Sequence, residues 1–125
     1  LSVAVASLAT RARAALEAEL AEAGIEATGD AGAFHPQPVG VLIGLPTLVS
    51  RGLAASTFTI PVLVVSGDPL STAPQVDRAF ALADEVAAAL STAAYRPTSY
   101  RSSSSAEPLP AIELIVTVTV STEEA

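Results

Sequence analysis

Cysteine, lysine and methionine are all missing from this chain, and histidine occurs once, at position 35. Without cysteine there is no disulfide framework, no thiolate metal site and no sulfur nucleophile. The absence of lysine rules out a P-loop, and no Gly-x-Gly-x-x-Gly fingerprint occurs either. The six basic residues are all arginine, against thirteen acidic ones, and the formal net charge is −7. That balance argues against wrapping a nucleic acid, because phosphate binding depends on Lys and Arg. It suits a surface that stays soluble or must not adhere to DNA. Aromatic residues are few (Phe34, Phe58, Phe80, Tyr95 and Tyr100), so the core must be built from Val, Leu, Ile and Ala. Long apolar runs are also lacking: residues 60–65 form one of the longest, far short of the ~20 residues a membrane span needs. Arg11, Arg13 and several glutamates follow closely on the first apolar residues, unlike a secretory signal. The expectation is a soluble protein. Leu at position 1 predicts either processing or a non-ATG start codon, and heavy use of Ala and Arg points to a GC-rich coding genome.

What the 125 residues do contain is a pattern for one domain, long enough to bury roughly two-thirds of its unfolded surface. The clearest stretch is 111–121, AIELIVTVTVS. Ile112, Leu114, Val116, Val118 and Val120 alternate with Glu113, Ile115, Thr117, Thr119 and Ser121, which predicts a long strand with one buried face. Residues 2–23 read as an amphipathic helix, with Val5, Leu8, Ala12, Leu16 and Leu20 on one stripe. Gly24 follows where a left-handed cap is wanted, and Ile25 is placed to touch Leu20 across a Schellman-type turn. Residues 26–28 suggest a short strand, 29–38 a turn-rich loop, and 39–45 an apolar strand bounded by Pro38 and Pro46. Residues 47–56 are ambiguous and read as an apolar, extended excursion. Residues 57–66 predict another strand, with Pro61 at an edge or a bulge because proline cannot donate to a ladder.

A second helix is predicted from Thr72, its N-cap, to about residue 90 or 93. Pro74 falls in its first turn, and Val76, Phe80, Ala83, Val86, Ala87 and Leu90 share a face. Residues 95–101 suggest a strand and 102–110 a polar connection. Strands cluster on both sides of the second helix and do not alternate singly with helices. The expected fold is therefore α+β, a mostly antiparallel sheet covered by two amphipathic helices.

Candidates for chemistry are sparse. His35 precedes Pro36 in a loop and has no cysteine or second histidine to join it in a metal set. Asp68 and Asp77 flank the entry to the second helix, but their spacing matches no calcium loop and Asp68–Pro69 is a common turn opener. Gly40 and Gly44 are best read as sites of close backbone packing or a bulge. The run from Ser102 to Ser105 has no base suitably placed to activate it and reads as a linker. No catalytic, cofactor or metal residue is assigned. The pattern favours contacts with protein. Tyr95, Arg96, Tyr100 and Arg101 interleave aromatic and guanidinium groups, as interface hot spots do. Arg51, in the otherwise apolar and small-residue LVSRGLAAS, suggests a covered or intersubunit loop. With Phe34 and Leu53 these make up the candidate interface set.

The order of these segments resembles a known family. A helix ending AEAGI is followed by the Pro-bounded strand PVGVLIGLP, a variable excursion and the strand FTIPVLVVSG. The helix APQVDRAFALADEVAAAL, a Ser/Pro-rich connection and the closing strand PAIELIVTVTV complete the layout. It resembles the tail terminator (tail-completion) proteins of long-tailed bacteriophages, especially those infecting actinobacteria. The resemblance implies a structural virion protein with no cofactor and no catalytic residues. Such a protein forms a hexameric ring on the last ring of tail-tube subunits, stops tube polymerisation and presents a surface to the head-closure or neck protein. It is assembled in the host cytoplasm and sits at the head-proximal end of the tail. DNA then passes through the lumen without specific binding, and excess carboxylates facing the lumen are expected to keep it from sticking. The alternatives are another head–tail connector component, such as a head-closure (stopper) or minor tail protein, or a small-molecule-binding α+β domain.

Overall fold

The computed structural model describes residues 7–36, 38–68, 72–92, 94–101 and 108–121. Ser7 opens the first helix: its backbone is extended and its hydroxyl accepts from the Thr10 N–H at 3.1 Å, so α1 runs Leu8–Glu22. The part of the expected helix before Ser7 lies outside the described residues. Ala12, Leu16 and Leu20 are fully buried, as the stripe predicted. The stop is also as expected. Gly24 takes φ 78°, its N–H donates to Ala21 O at 3.0 Å, and the Ile25 N–H donates to Leu20 O at 2.9 Å. These are the paired bonds of a Schellman motif, with Ile25 buried beside the helix it terminates.

After α1 come β1 (Ala27–Thr28), a 3-10 turn (Ala31–Ala33), β2 (Val39–Ile43), β3 (Thr47–Arg51) and β4 (Ala55–Ser66). Then follow α2 (Ala73–Ala89), β5 (Arg96–Tyr100) and β6 (Leu109–Ser121). The six strands form one mixed sheet in the order β1-β2-β4-β6-β5, with β3 also paired to β4. Only β1–β2 is parallel; the other pairings are antiparallel. The fold is α+β, with a mostly antiparallel sheet. β6 begins earlier than expected and absorbs Leu109 and Pro110 from the anticipated connection.

The β4–β6 ladder runs unbroken from Ala55↔Ser121 to Val65↔Ala111. On the other flank of β4, β2 and β3 lie end to end, β2 beside residues 62–66 and β3 beside residues 56–59. The ambiguous stretch 47–56 is thus half of a β-hairpin and not an excursion. Pro61 is not at an edge, since β4 is flanked on both sides. It is tolerated there because the Gly44 N–H donates to Pro61 O at 2.7 Å, and the bond that a proline cannot return falls where β2 ends.

Both helices cover one face of the sheet. Phe58, Ile60, Val62 and Val64 of β4 and Ile112, Leu114 and Val116 of β6 pack in one cluster with Leu16, Leu20, Ala79, Ala83 and Val86. In α2 the buried line is Ala79, Ala83, Val86 and Leu90. The small side chains of Ala79 and Ala83 let the helix lie close to the strands. Phe80, one residue on, is swung about 100° round the helix to its shoulder. That corrects its expected place on the core face. The opposite face of the sheet has a small cover of its own, in which Phe34, Leu42, Val65, Leu109 and Ala111 form a second cluster with Tyr100 against it.

Candidate functional site

The far end of the sheet is an arm of three strands: β3, the first half of β4 and the second half of β6. Two of the expected interface residues lie on it. Leu53, at the hairpin tip, is 98% exposed, and Arg51 is exposed at the end of β3. The arm also carries residues that were not anticipated: Leu45, Leu48, Val49 and Ile115, at least half exposed in every case. The pairing of β3 with β4 shifts register between Leu48 and Ser50, so Val49 is the extra residue of a bulge. A signal for one of these was present in the sequence: Ile115 interrupts the polar series Glu113, Thr117, Thr119. Cross-strand hydroxyls line the uncovered face, with Thr57 Oγ1 and Thr119 Oγ1 3.3 Å apart.

The remaining expected residues lie at the β5 end, where most are engaged within the chain. Arg96 sits opposite Glu113 across the β5–β6 pair, its Nη2 2.7 Å and its Nε 2.9 Å from Glu113 Oε1. Tyr95 donates its hydroxyl to Asp84 Oδ1 at 2.7 Å, and its ring lies 6.0 Å from that of Phe80. The hydrogen bond to Asp84 raises the Tyr95 pKa above its ordinary 10.0, since ionisation would forfeit the bond and set two negative charges together. Phe34 is buried and meets Tyr100 edge-on, with ring centroids 5.6 Å apart. These two belong to the second core. Arg101 is exposed beyond the end of β5. The structure therefore splits the expected set between the arm and the β5 end.

Other groups earn structural roles. Arg13 reaches from α1 to the sheet, where its Nη2 donates to the carbonyl of Gly29 and, at 3.4 Å, to that of Ile43. This tie between helix and loop was missed because an arginine beside a stripe reads as solvated. Ser66 Oγ accepts from the Asp68 N–H at 3.3 Å; the turn expected to open at Asp68–Pro69 runs outside the described residues. Among the described residues, no three His, Asp or Glu side chains are grouped to hold a metal. His35 is exposed in the loop after the 3-10 turn. A cleft of ≈ 280 Å³ opens between α2 and the β5–β6 end, lined by Gln75, Val76, Phe80, Pro97, Pro110 and Ile112 among others. Gln75 Oε1 is buried and has no hydrogen-bond partner among the described residues.

These features define a two-layer α+β domain with an apolar-tipped strand arm. The chain matches no protein-family model and no curated protein. No helix among the described residues is long and apolar enough to cross a membrane.

Proposed function

We propose that this chain is a structural subunit of a phage tail: a terminator that assembles into a ring, caps the tail tube and joins it to the neck protein. The observation that supports this most is the arm. Leu48 and Val49 project from a strand paired along β4, Leu45 immediately precedes it, and Leu53 stands at its tip. Exposed apolar side chains grouped on paired strands suit a surface that another protein covers. The role is non-catalytic, in the virion at the head-proximal end of the tail, with DNA passing the acidic subunit without specific contacts. The resemblance in segment order is what singles out a terminator among assembling proteins.

Electron microscopy of lysates from a phage with this gene disrupted tests the reading. DNA-filled heads beside detached, overlong tails are expected. Normal-length free tails beside emptied heads would reassign the protein to head closure. Intact infectious particles would end the structural role. One observation favours a different class: the cleft holding the unpartnered Gln75 carbonyl suits a small ligand with an N–H donor. A rise in Tm with such a molecule, and no self-association, would support that alternative.

A further inference from the structure

Among the described residues, two edges of the sheet are guarded and two are not. The β1 strand is two residues long. The β5 strand carries Arg96 and Pro97. Short strands, edge charges and edge prolines are the means by which sheets refuse further strands. The β5 pairing stops at Arg96↔Glu113, and beyond it β6 has no outer neighbour among the described residues. Residues 115–120 there read IVTVTV, β-branched throughout, with no charge and no proline. On the opposite flank of the arm, β3 is outermost.

Pro61 fixes which way the β6 edge presents its bonding groups. Gly44 donates to the Pro61 carbonyl from the β2 side, so Pro61↔Ile115 is a non-hydrogen-bonded pair of the β4–β6 ladder. By alternation Val116 and Val118 bond to β4, while the N–H and C=O groups of Ile115, Thr117 and Thr119 point outward.

We infer that the two open edges join successive copies of this chain, β3 of one copy adding beside β6 of the next. Direction and level select a second copy as the occupant. Both β3 and β6 run antiparallel to β4, so copies in the same orientation bring them together as a parallel pair. Thr47, Thr59 and Thr117 form one cross-strand row, and Ser50, Thr57 and Thr119 the next. Across the joint these rows continue, hydroxyl beside hydroxyl. The only charge on β3 is Arg51, at its end.

Such a joint is heterologous, leaving one edge of each kind free until a ring closes or a filament grows. A five-residue strand covers far less than the ~800 Å² per partner of a standard interface. Association is therefore weak in dilute solution and stronger at high concentration. The inference rests on the self-association in the proposed function, but needs neither tail tube nor neck.

Because the chain has no cysteine, introduced thiols report on the joint without background. The test is a Ser50→Cys/Thr119→Cys double variant, mildly oxidised at high concentration. Ser50→Cys/Thr117→Cys serves as a second double variant for a joint slipped by one row, and each single variant is a control. The expected result is a ladder of covalent species beyond the dimer from a double variant. A mixture of the singles should stop at dimers, and each single alone should stay monomeric. Dimers from Thr119→Cys alone would mean that like edges pair, and would overturn the inference. So would the absence of cross-links from both double variants with wild-type Tm. A ladder together with intact particles after gene disruption would keep the joint and discard the phage role, so the two failures are distinguishable.

Discussion

Gly44 lies so close to Pro61 that a β-carbon on it would sit 2.6 Å from Pro61 Cγ and 2.9 Å from the Pro61 carbonyl oxygen. The same glycine donates its N–H to that oxygen at 2.7 Å. One contact thus ends β2, accommodates a proline in the central strand and turns the chain toward β3.

Gly44→Ala is therefore expected to destabilise the fold by about 1–3 kcal/mol through overpacking. Urea unfolding reads this as a lower midpoint at unchanged slope. In a Pro61→Ala background the Cγ contact is gone and the carbonyl contact remains, so part of the loss is recovered. A cost that is the same in both backgrounds would show that the ring makes no difference.

Exposure separates two leucines. Leu114 is fully buried between the helices and the sheet, and Leu114→Ala is expected to cost about 2–5 kcal/mol. Leu53 is 98% exposed, and Leu53→Ser is expected to change stability by less than about 0.5 kcal/mol. If Leu53 serves assembly, that variant keeps its Tm and loses incorporation into particles. A large drop in its Tm would instead give Leu53 a role within the fold.

Both helices end on a residue in the left-handed region, but only one of these is glycine. Ser91 takes φ 53°, with the Thr92 N–H donating to Ala87 O at 2.9 Å. Ser91→Gly relieves that conformation and is expected to stabilise by up to about 1 kcal/mol, while Gly24→Ala is expected to cost about 1 kcal/mol. Nothing lies within 4 Å of a β-carbon at Gly24, so the loss there is conformational and not steric. Thermal melts of the two variants should move in opposite directions.

The Tyr95–Asp84 bond makes a prediction with pH. The folded-state pKa of Tyr95 is raised above 10.0, so the bond's contribution is fully present below that value and is lost as pH rises through the folded pKa. Asp84→Asn removes the carboxylate charge that holds the phenol protonated. The Tyr95 ionisation midpoint, followed by phenolate absorbance with Tyr100 replaced by Phe, should then fall. An unchanged midpoint would mean the bond is not maintained in solution.

Local signals were legible in the sequence where one residue decides the structure by itself. Gly24 marked a helix end because few other residues accept its φ, and the alternation in residues 111–121 marked a strand because one face is buried. Pro61 misled because its position depends on a distant event, the break in β2 at Gly44. The β3 strand was hidden by its bulge: Leu48 and Val49 are adjacent apolar residues, and the extra residue destroys the period of two. Phe34 sat alone in a turn-rich loop, and only the folded sheet brings Leu42, Val65 and Tyr100 beneath it. Of the candidate surface, Arg51 and Leu53 were readable as an unusual apolar stretch. The open edges were not, since an edge is defined by the strand that fails to arrive.

The register of β4 against β6 also constrains the order in which the molecule assembles itself. β4 meets β3 across a connection of a few residues, but it meets β6 only after the whole of α2 and β5 has been synthesised. Closing so long a loop is entropically slow, and no pair of the ladder contributes until it closes. In a refolding chain the most apolar strand is thus expected to wait with one flank bare, and bare strand flanks capture one another. Refolding yield should therefore fall as protein concentration rises, even where the native state is stable.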